Sequence, residues 1–212
     1  MHFLKFKKII SKVNDFKLPG KNSFLELAPP DRVKQILDGY IPNNSVKAAV
    51  TLLFYGDYKN QTRLVLILRN KYKGVHSNQV AFPGGKKEIS DLDLKETAIR
   101  ETIEELGLLK KYIVIQKELT EIYIPPSNCI VKPYLCFYEK PPKFNPSSNE
   151  VAFIYNPLLE DLLRLKINKS EVLIGDQPKI VPSFQIENNV VWGATAMIIN
   201  EFVSLFKELI NS

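Results

Sequence analysis

Residues 84–108 read GGKKEISDLDLKETAIRETIEELGL, a glycine pair followed by an acidic segment. The spacing of the apolar residues predicts a helix over Leu94–Leu106. Asp93 and Glu96 have the Asp-x-x-Glu spacing of a capping box at the start of this helix. Gly107 permits the left-handed turn that often ends a helix. The stretch therefore predicts a glycine turn, a capped helix and a defined stop.

The predicted helix has one apolar face and one acidic face. At 100° per residue, Glu101, Glu104 and Glu105 fall within about 100° of one another. Ile99 and Ile103 lie on the opposite side. Three carboxylates this close repel one another, and Mg²⁺ or Mn²⁺ would remove that cost because both ions favour carboxylate oxygen. Taken alone, however, the pattern fits an ordinary solvated helix face better than a metal site.

The residues on either side of the acidic face favour the metal site. The Gly84-Gly85 turn lets backbone approach a phosphate, or exposes a carbonyl to a metal. Arg100 points about 100° to the side of Glu101, from where it can pair with Asp91 and hold the loop against the helix. These flanking residues shift the interpretation towards a cation site.

Composition indicates one globular domain without a membrane span. The chain has 212 residues, 45% of them hydrophobic and 25% charged. Its longest apolar run, Ala48–Tyr55 with Thr51 counted in, is far shorter than the roughly twenty residues that a membrane helix needs. Cys129 and Cys136 are too few for a disulfide scaffold or a four-ligand zinc site, and their spacing of seven residues places them on opposite faces of a strand. A reducing cytoplasm is the expected compartment.

The charge is unevenly spread along the chain. The net charge is +6, and residues 1–80 hold 14 Lys or Arg against 5 Asp or Glu. This excess is compatible with nucleic acid, a membrane surface or a polyanionic small molecule, and also with solubility alone. Residues 1–14 predict a short basic amphipathic helix that docks on its own domain, with membrane contact or a weak targeting segment as the alternatives. We therefore divide the chain into an N-terminal helix and linker, 1–28, and a main domain, 29–212.

Strands and helices are mixed along the main domain. The predicted strands are Val46–Tyr55, Arg63–Leu68, Val80–Phe82, Tyr112–Tyr123, Ile130–Tyr138, Val151–Tyr155, Lys179–Phe184 and Val190–Trp192. The other predicted helices run to about Leu37 and over Pro157–Leu165 and Thr195–Leu209. Trp192 is expected in the core near the last helix. The mixture predicts an α/β or α+β fold built in layers.

Residues 85–108 resemble the Nudix box, G-x5-E-x7-R-E-U-x-E-E-x-G-U, where U is aliphatic. The sequence departs from this pattern in three places. Asp91 stands in place of Glu, one extra residue separates it from Arg100, and Thr102 replaces an aliphatic residue. The extra residue is similar to the coenzyme A pyrophosphatase branch of the family.

An upstream segment also resembles that branch. Its pattern there runs approximately L-L-x-x-R-S-x-x-x-x-x-H-x-G-Q-x-x-F-P-G-G. Leu66–Asn70 and His76–Gly85 match it, with Asn78 in place of Gly. This departure is mild, because Asn is a side chain that tolerates a left-handed turn.

The resemblance implies a Nudix-type α/β/α sandwich with a mixed β-sheet, in the α/β class. It also implies metal-dependent hydrolysis of the diphosphate of coenzyme A or acyl-CoA to phosphopantetheine and adenosine 3′,5′-bisphosphate. Glu101 and Glu105 would hold Mg²⁺ or Mn²⁺, the Gly85 carbonyl would add a ligand, and Glu104 would share a metal or position the water. Glu104 is the preferred general base, with Glu101 as the alternative, and Arg100 is grouped with the catalytic residues.

The substrate contacts and the alternatives stay open at this point. Arg69, Lys73, His76 and Gln79 are the expected substrate-binding residues. A solvated loop explains the three basic residues about equally well, and the alternative for Gln79 is that it holds the loop together. A small-molecule substrate is expected, without nucleic acid or membrane, and a homodimer is compatible with the family. The first alternative is the same chemistry on NADH or ADP-ribose. The second is a non-catalytic nucleotide- or RNA-binding module, against which the three retained glutamates argue.

Overall fold

The computed structural model describes residues 1–71, 74, 76–174 and 177–212. The strands, in chain order, are β1 (Val46–Gly56), β2 (Thr62–Leu64), β3 (Leu66–Arg69), β4 (Val80–Ala81), β5 (Gly84–Lys86), β6 (Ile113–Glu118), β7 (Ile122–Ile124), β8 (Cys129–Tyr138), β9 (Val151–Tyr155), β10 (Asn168–Ile174), β11 (Gln177–Ile186) and β12 (Asn189–Trp192). The α-helices are α1 (Phe3–Ile10), α2 (Lys21–Leu25), α3 (Val33–Asp38), α4 (Leu94–Leu106), α5 (Leu159–Leu163) and α6 (Gly193–Asn211).

The main sheet is built around β1 and β8, which pair in parallel along ten residues. β2 and β5 pair antiparallel with β1, and β6 and β7 pair antiparallel with β8. Successive residues of β1 enter different cores, so that Leu52 and Phe54 pack on one face and Leu53 and Tyr55 on the other. Residues of α1 and α6 pack in the first core and residues of α4 in the second. The predicted α/β/α sandwich with a mixed sheet is confirmed.

Two smaller sheets flank this layer and correct the predicted strands. β3 pairs antiparallel with β4 and β9, and β11 pairs antiparallel with β10 and β12. The predicted strand Arg63–Leu68 is therefore divided at Val65, with its two halves in different sheets. The predicted strand Tyr112–Tyr123 is interrupted between β6 and β7. β10 was not predicted, and α2 begins inside the stretch that was expected to be a linker.

The N-terminal helix α1 packs against the main domain, as the sequence predicts. Phe6 and Ile10 are fully buried in the core that contains α6. Farther along, the buried carboxylate of Glu201 in α6 accepts hydrogen bonds from the backbone N–H groups of Gly20 and Thr120. The N-terminal segment is thus joined to the core by both apolar and polar contacts. The division of the chain at residue 28 stays a prediction.

The two cysteines lie in β8 and contribute to different cores. Cys129 packs with the α1 and α6 side and Cys136 with the α4 side, as their spacing predicts. Both thiols are free. In the part of the chain that the structure describes, no helix is both long enough and apolar enough to cross a membrane.

Candidate active site

The predicted turn at Gly84-Gly85 is instead extended, because both glycines belong to strand β5 and pair with β1. We keep the name glycine turn for this pair. A Cβ at Gly84 would lie 2.3 Å from the carbonyl oxygen of Ala49, and the φ of Gly84 is 147°. A Cβ at Gly85 would lie 2.4–2.6 Å from the carboxyl atoms of Glu101. The first glycine therefore permits the strand pairing, and the second permits the close approach of a carboxylate from α4.

Glu105 extends from α4 into the interior beside the same turn. Its side chain is 1% exposed, one carboxylate oxygen accepts the Gly84 N–H at 2.8 Å, and the other lies 3.3 Å from Nη1 of Arg69. Burial raises the pKa of Glu105 to about 8, although the hydrogen bond from Gly84 and the charge of Arg69 act in the opposite direction. A cation bound at this carboxyl group would favour its ionised form.

Glu101 and Glu104 both contact Arg100. Nη1 of Arg100 lies 3.1 Å from Oε1 of Glu101 and 3.0 Å from Oε2 of Glu104. The Glu104 side chain is 53% exposed, whereas Glu101 is more buried, and burial raises the pKa of Glu101. The acidic face is thus not uniformly solvated, because it runs from exposed Glu104 to buried Glu105.

The predicted pairing of Arg100 with Asp91 is present. Nε of Arg100 donates to Oδ1 of Asp91 at 2.8 Å, and Nη2 donates to Oδ2 at 2.9 Å. This two-pronged contact holds the pKa of the Asp91 carboxyl group well below its usual range. Asp91 also accepts the N–H of Glu88 and the hydroxyl of Thr97. Arg100 therefore fixes the loop before α4 and faces two of the three glutamates.

The donor chemistry at this turn fits a hard divalent cation. Glu101 and Glu105 reach Gly85 and Gly84 from one helix, and Gly85 leaves the room that a side chain would fill. Carboxylate and backbone carbonyl oxygens are ligands of Mg²⁺ and Mn²⁺. Among the described residues, no three acidic, histidine or cysteine side chains are already gathered as a complete ligand set. The oxygen donors therefore fit such a cation. In this structure the carboxylates of Glu101 and Glu104 contact the guanidinium of Arg100.

Thr102, which departs from the aliphatic pattern, has a specific partner. Its hydroxyl lies 2.8 Å from that of Thr51 in β1 and donates to the carbonyl of Ala98 at 2.7 Å. Both threonines are fully buried. The polar residue is therefore satisfied inside the contact between α4 and the sheet.

A cavity of about 740 Å³ begins at the glycine turn. The residues of the predicted site that line it are Arg69, His76, Gln79 and Gly85. None of the three glutamates Glu101, Glu104 and Glu105 lines the cavity. Glu101 adjoins it through Gly85. Glu105 adjoins it through Gly84 and Arg69. The fourth predicted substrate residue, Lys73, lies outside the described residues.

The loop before the turn is held in an unusual backbone conformation. His76 and Asn78 have φ values of 68° and 56°, so Asn78 adopts the left-handed conformation expected of it. Nδ1 of His76 lies 3.2 Å from Oε1 of Gln79, and burial lowers the pKa of His76. Gln79 thus orients the imidazole, and both residues face the cavity.

Several residues of the site were missed or misplaced at the sequence level. Trp192 is half-buried in the cavity wall, not in the core, because its neighbour Val191 takes the inward position of β12. Glu150 lies close enough for its charge to raise the pKa values of Glu101 and Glu105. Arg32 also lines the cavity. For Glu150 a signal existed, since Asn149-Glu150-Val151 resembles the same family branch, whereas Arg32 had none.

Comparison with known proteins matches the chain to a family model and to curated relatives. The family model described as the NUDIX domain matches residues 46–172. The chain is 31% identical over 171 residues to "Nudix hydrolase 15, mitochondrial" of Arabidopsis thaliana, covering 76% of this chain and 59% of that protein. It is 33% identical over 140 residues to "Mitochondrial coenzyme A diphosphatase NUDT8" of Homo sapiens, covering 64% of this chain and 58% of that protein. The chain thus spans less than two thirds of the length of either relative.

A solved structure shows the likeness of fold. The crystal structure of a MutT/nudix family protein from Enterococcus faecalis superposes with a TM-score of 0.50 at 12% identity, covering 93% of this chain and 76% of that one. At this identity the likeness concerns the fold alone.

Proposed function

The chain belongs to the Nudix family of hydrolases, and from this premise we propose that it hydrolyses the diphosphate of coenzyme A or acyl-CoA. The products would be phosphopantetheine and adenosine 3′,5′-bisphosphate. One observation carries the proposal. Both parts of the upstream motif, the strand end at Arg69 and the segment from His76 through Gln79 to Gly85, line one cavity. Its volume of about 740 Å³ suits an extended ligand.

The residues of the turn have distinct parts in this proposal. Glu101 and Glu105 hold Mg²⁺ or Mn²⁺, with the Gly85 carbonyl as a further ligand. When bound, such an ion neutralises diphosphate charge and makes a water molecule more acidic. Arg69, which lies beside Glu105 at the cavity wall, faces the diphosphate.

The proton of the attacking water needs an acceptor. We assign it to a carboxylate oxygen of Glu104, the most exposed of the three glutamates, with Glu101 as the alternative. Arg100 holds the loop through Asp91 and contacts both candidates. Its part is to position these carboxylates.

The proposal extends to the surroundings of the enzyme. The ligand is a small molecule, and neither nucleic acid nor a membrane takes part. The two free, buried thiols suit a reducing compartment, for which we propose the cytoplasm. A homodimer is compatible with the family.

A substrate panel with product identification tests the function. Coenzyme A, an acyl-CoA, NADH and ADP-ribose are incubated with Mg²⁺ or Mn²⁺. We expect coenzyme A or acyl-CoA to be cleaved fastest, with release of adenosine 3′,5′-bisphosphate. Glu104→Gln and Glu105→Gln should each lower the rate by orders of magnitude. Glu118→Gln, which removes an exposed carboxylate of β6, is the matched control. Faster hydrolysis of NADH or ADP-ribose would instead support the first alternative.

A further inference from the structure

Arg32 lines the same cavity at a point remote from the glycine turn. Nη2 of Arg32 donates to the carbonyl oxygen of Tyr123 in β7 and lies 3.4 Å from Oε1 of Gln35. Gly85 lies in β5, and β1 and β8 stand between β5 and β7. Three strand spacings separate the two strands by about 14 Å. The cavity thus has one basic residue near β5, which is Arg69 beside Glu105, and another near β7, which is Arg32.

The guanidinium of Arg32 is incompletely satisfied. Among the described residues, neither Nε nor Nη1 has a hydrogen-bond partner, and Nε is buried. Within the same part of the chain, the other buried side-chain nitrogen without a partner is Nε2 of His76, which also belongs to a cavity-lining residue. Leaving a buried polar group unpaired is costly, and both of these groups belong to residues that line the cavity.

The charge around Arg32 is also unbalanced. No carboxylate of the described chain lies within ion-pair distance of its guanidinium. The neighbouring carboxylate of Asp31 is bound to Nζ of Lys179 at 2.7 Å. Arg32, Lys179 and Asp31 together leave a net positive charge of one. A guanidinium with free donors in a cavity wall is suited to a phosphate or carboxylate group.

We propose that Arg32 binds the ribose 3′-phosphate of coenzyme A and thereby sets a preference for coenzyme A over dephospho-coenzyme A. This inference rests on the proposed function. The turn at Gly85 takes the diphosphate, and Arg32 takes the one phosphate of coenzyme A that lies outside the diphosphate. We assign Arg32 to substrate specificity and not to catalysis, because it lies away from the diphosphate bond that is hydrolysed.

Steady-state kinetics on the two substrates test this assignment. For Arg32→Gln we expect KM for coenzyme A to rise about tenfold to a hundredfold, the range for a hydrogen bond to a charged group, while kcat is retained. The constants for dephospho-coenzyme A should stay close to those of the wild type. Arg32→Lys should keep part of the preference. Lys34→Gln, which removes an exposed charge two residues away, is the matched control and should leave both substrates unaffected.

A neighbouring variant provides an independent check. Asp31→Asn removes the negative charge next to the guanidinium and should lower KM for coenzyme A but not for dephospho-coenzyme A. The assignment is overturned if Arg32→Gln impairs both substrates equally, which a structural role would do, or leaves their ratio unchanged. If Arg32→Gln does not fold, the same criterion is applied to Arg32→Lys and Asp31→Asn. The quantity compared is then the ratio of KM for coenzyme A to KM for dephospho-coenzyme A.

Direct binding separates this inference from the proposed function. Calorimetry measures the affinity of the wild type and of Arg32→Lys for adenosine 3′,5′-bisphosphate and for AMP. We expect the wild type to prefer the bisphosphate and Arg32→Lys to keep only part of that preference. If the enzyme cleaves neither coenzyme A nor dephospho-coenzyme A, the proposed function fails and this preference alone decides the role of Arg32. Equal binding of the two nucleotides would overturn it.

Discussion

The buried carboxyl group of Glu105 couples the stability of the protein to pH. Its pKa is about 8 in the folded protein, against about 4.3 for an unfolded glutamate. Between these values the folded protein holds a proton that the unfolded chain releases. The free energy of unfolding of the metal-free protein should therefore fall as pH rises through this window, by up to about 1.4 kcal/mol per pH unit. Urea titrations across the window, with a chelator present, measure this decline.

The variant Glu105→Gln isolates the contribution of this group. Burial also raises the pKa values of Glu101 and Glu201, so the wild-type profile contains more than one carboxyl group. The difference between wild type and Glu105→Gln should carry the decline that belongs to Glu105. Added Mg²⁺ should reduce the decline in the wild type, because a bound cation favours the ionised carboxylate. Parallel profiles for the two proteins would contradict the assignment.

The two glycines of the turn should respond differently to the same substitution. In Gly85→Ala the added methyl group meets the end of the Glu101 side chain, which can rotate away. We expect little change in melting temperature and at least about a tenfold loss of kcat, as for a displaced catalytic group. In Gly84→Ala the methyl group meets the backbone of β1 at a φ of 147°, so the fold itself should lose about 1–3 kcal/mol or more.

Thermal melts and kinetics on the two alanine variants separate these effects. The pair serves as its own control, because the substitution is identical and the positions are adjacent. Loss of stability in Gly85→Ala without loss of kcat would show that this glycine serves the fold and not the placement of Glu101.

The contact between α4 and β1 contains the Thr51–Thr102 hydroxyl pair. Since Thr102 donates to Ala98, Thr51 is left to donate to Thr102. Thr102→Val should therefore cost about 1–3 kcal/mol, because it leaves a buried hydroxyl without a partner. The double variant Thr51→Val with Thr102→Val removes both polar groups and should recover most of that loss. Denaturant midpoints of Thr51→Val, Thr102→Val and the double variant measure the coupling, and strictly additive losses would show that none exists.

Local sequence signals made the limits of α4 predictable, but they did not determine the strand partners around Val65 or the presence of β10. Asp93 caps the helix at the N–H of Glu96, and Gly107 ends it in the left-handed conformation, so both limits are found where the sequence places them. By contrast, the run that contains Val65 is apolar throughout, and nothing local shows that its strand partner changes there. β10 begins with polar residues and carries a weak strand signal.

The acidic face of α4 was predictable for the same reason, whereas the part of the cavity around Arg32 was not. Glu101, Glu104 and Glu105 lie on one helix, so their spacing alone fixes their relation. Arg32 reaches the cavity through a hydrogen bond to Tyr123, which is 91 residues away in the sequence. Such a contact depends on how strands pair across the sheet, and a single sequence does not carry that information.

The N-terminal segment and the main domain share one core, and their stability should be inseparable. The Phe6 ring in α1 lies 4.9 Å from that of Phe54 and 5.3 Å from that of Phe206. Phe6→Ala should therefore cost about 3–5 kcal/mol and lower the midpoint of a single unfolding transition. Leu4→Ala, an exposed position of the same helix, is the control and should cost little. If the segment unfolded on its own, Phe6→Ala would leave the main transition at the wild-type midpoint, and far-UV and near-UV circular dichroism would report different curves.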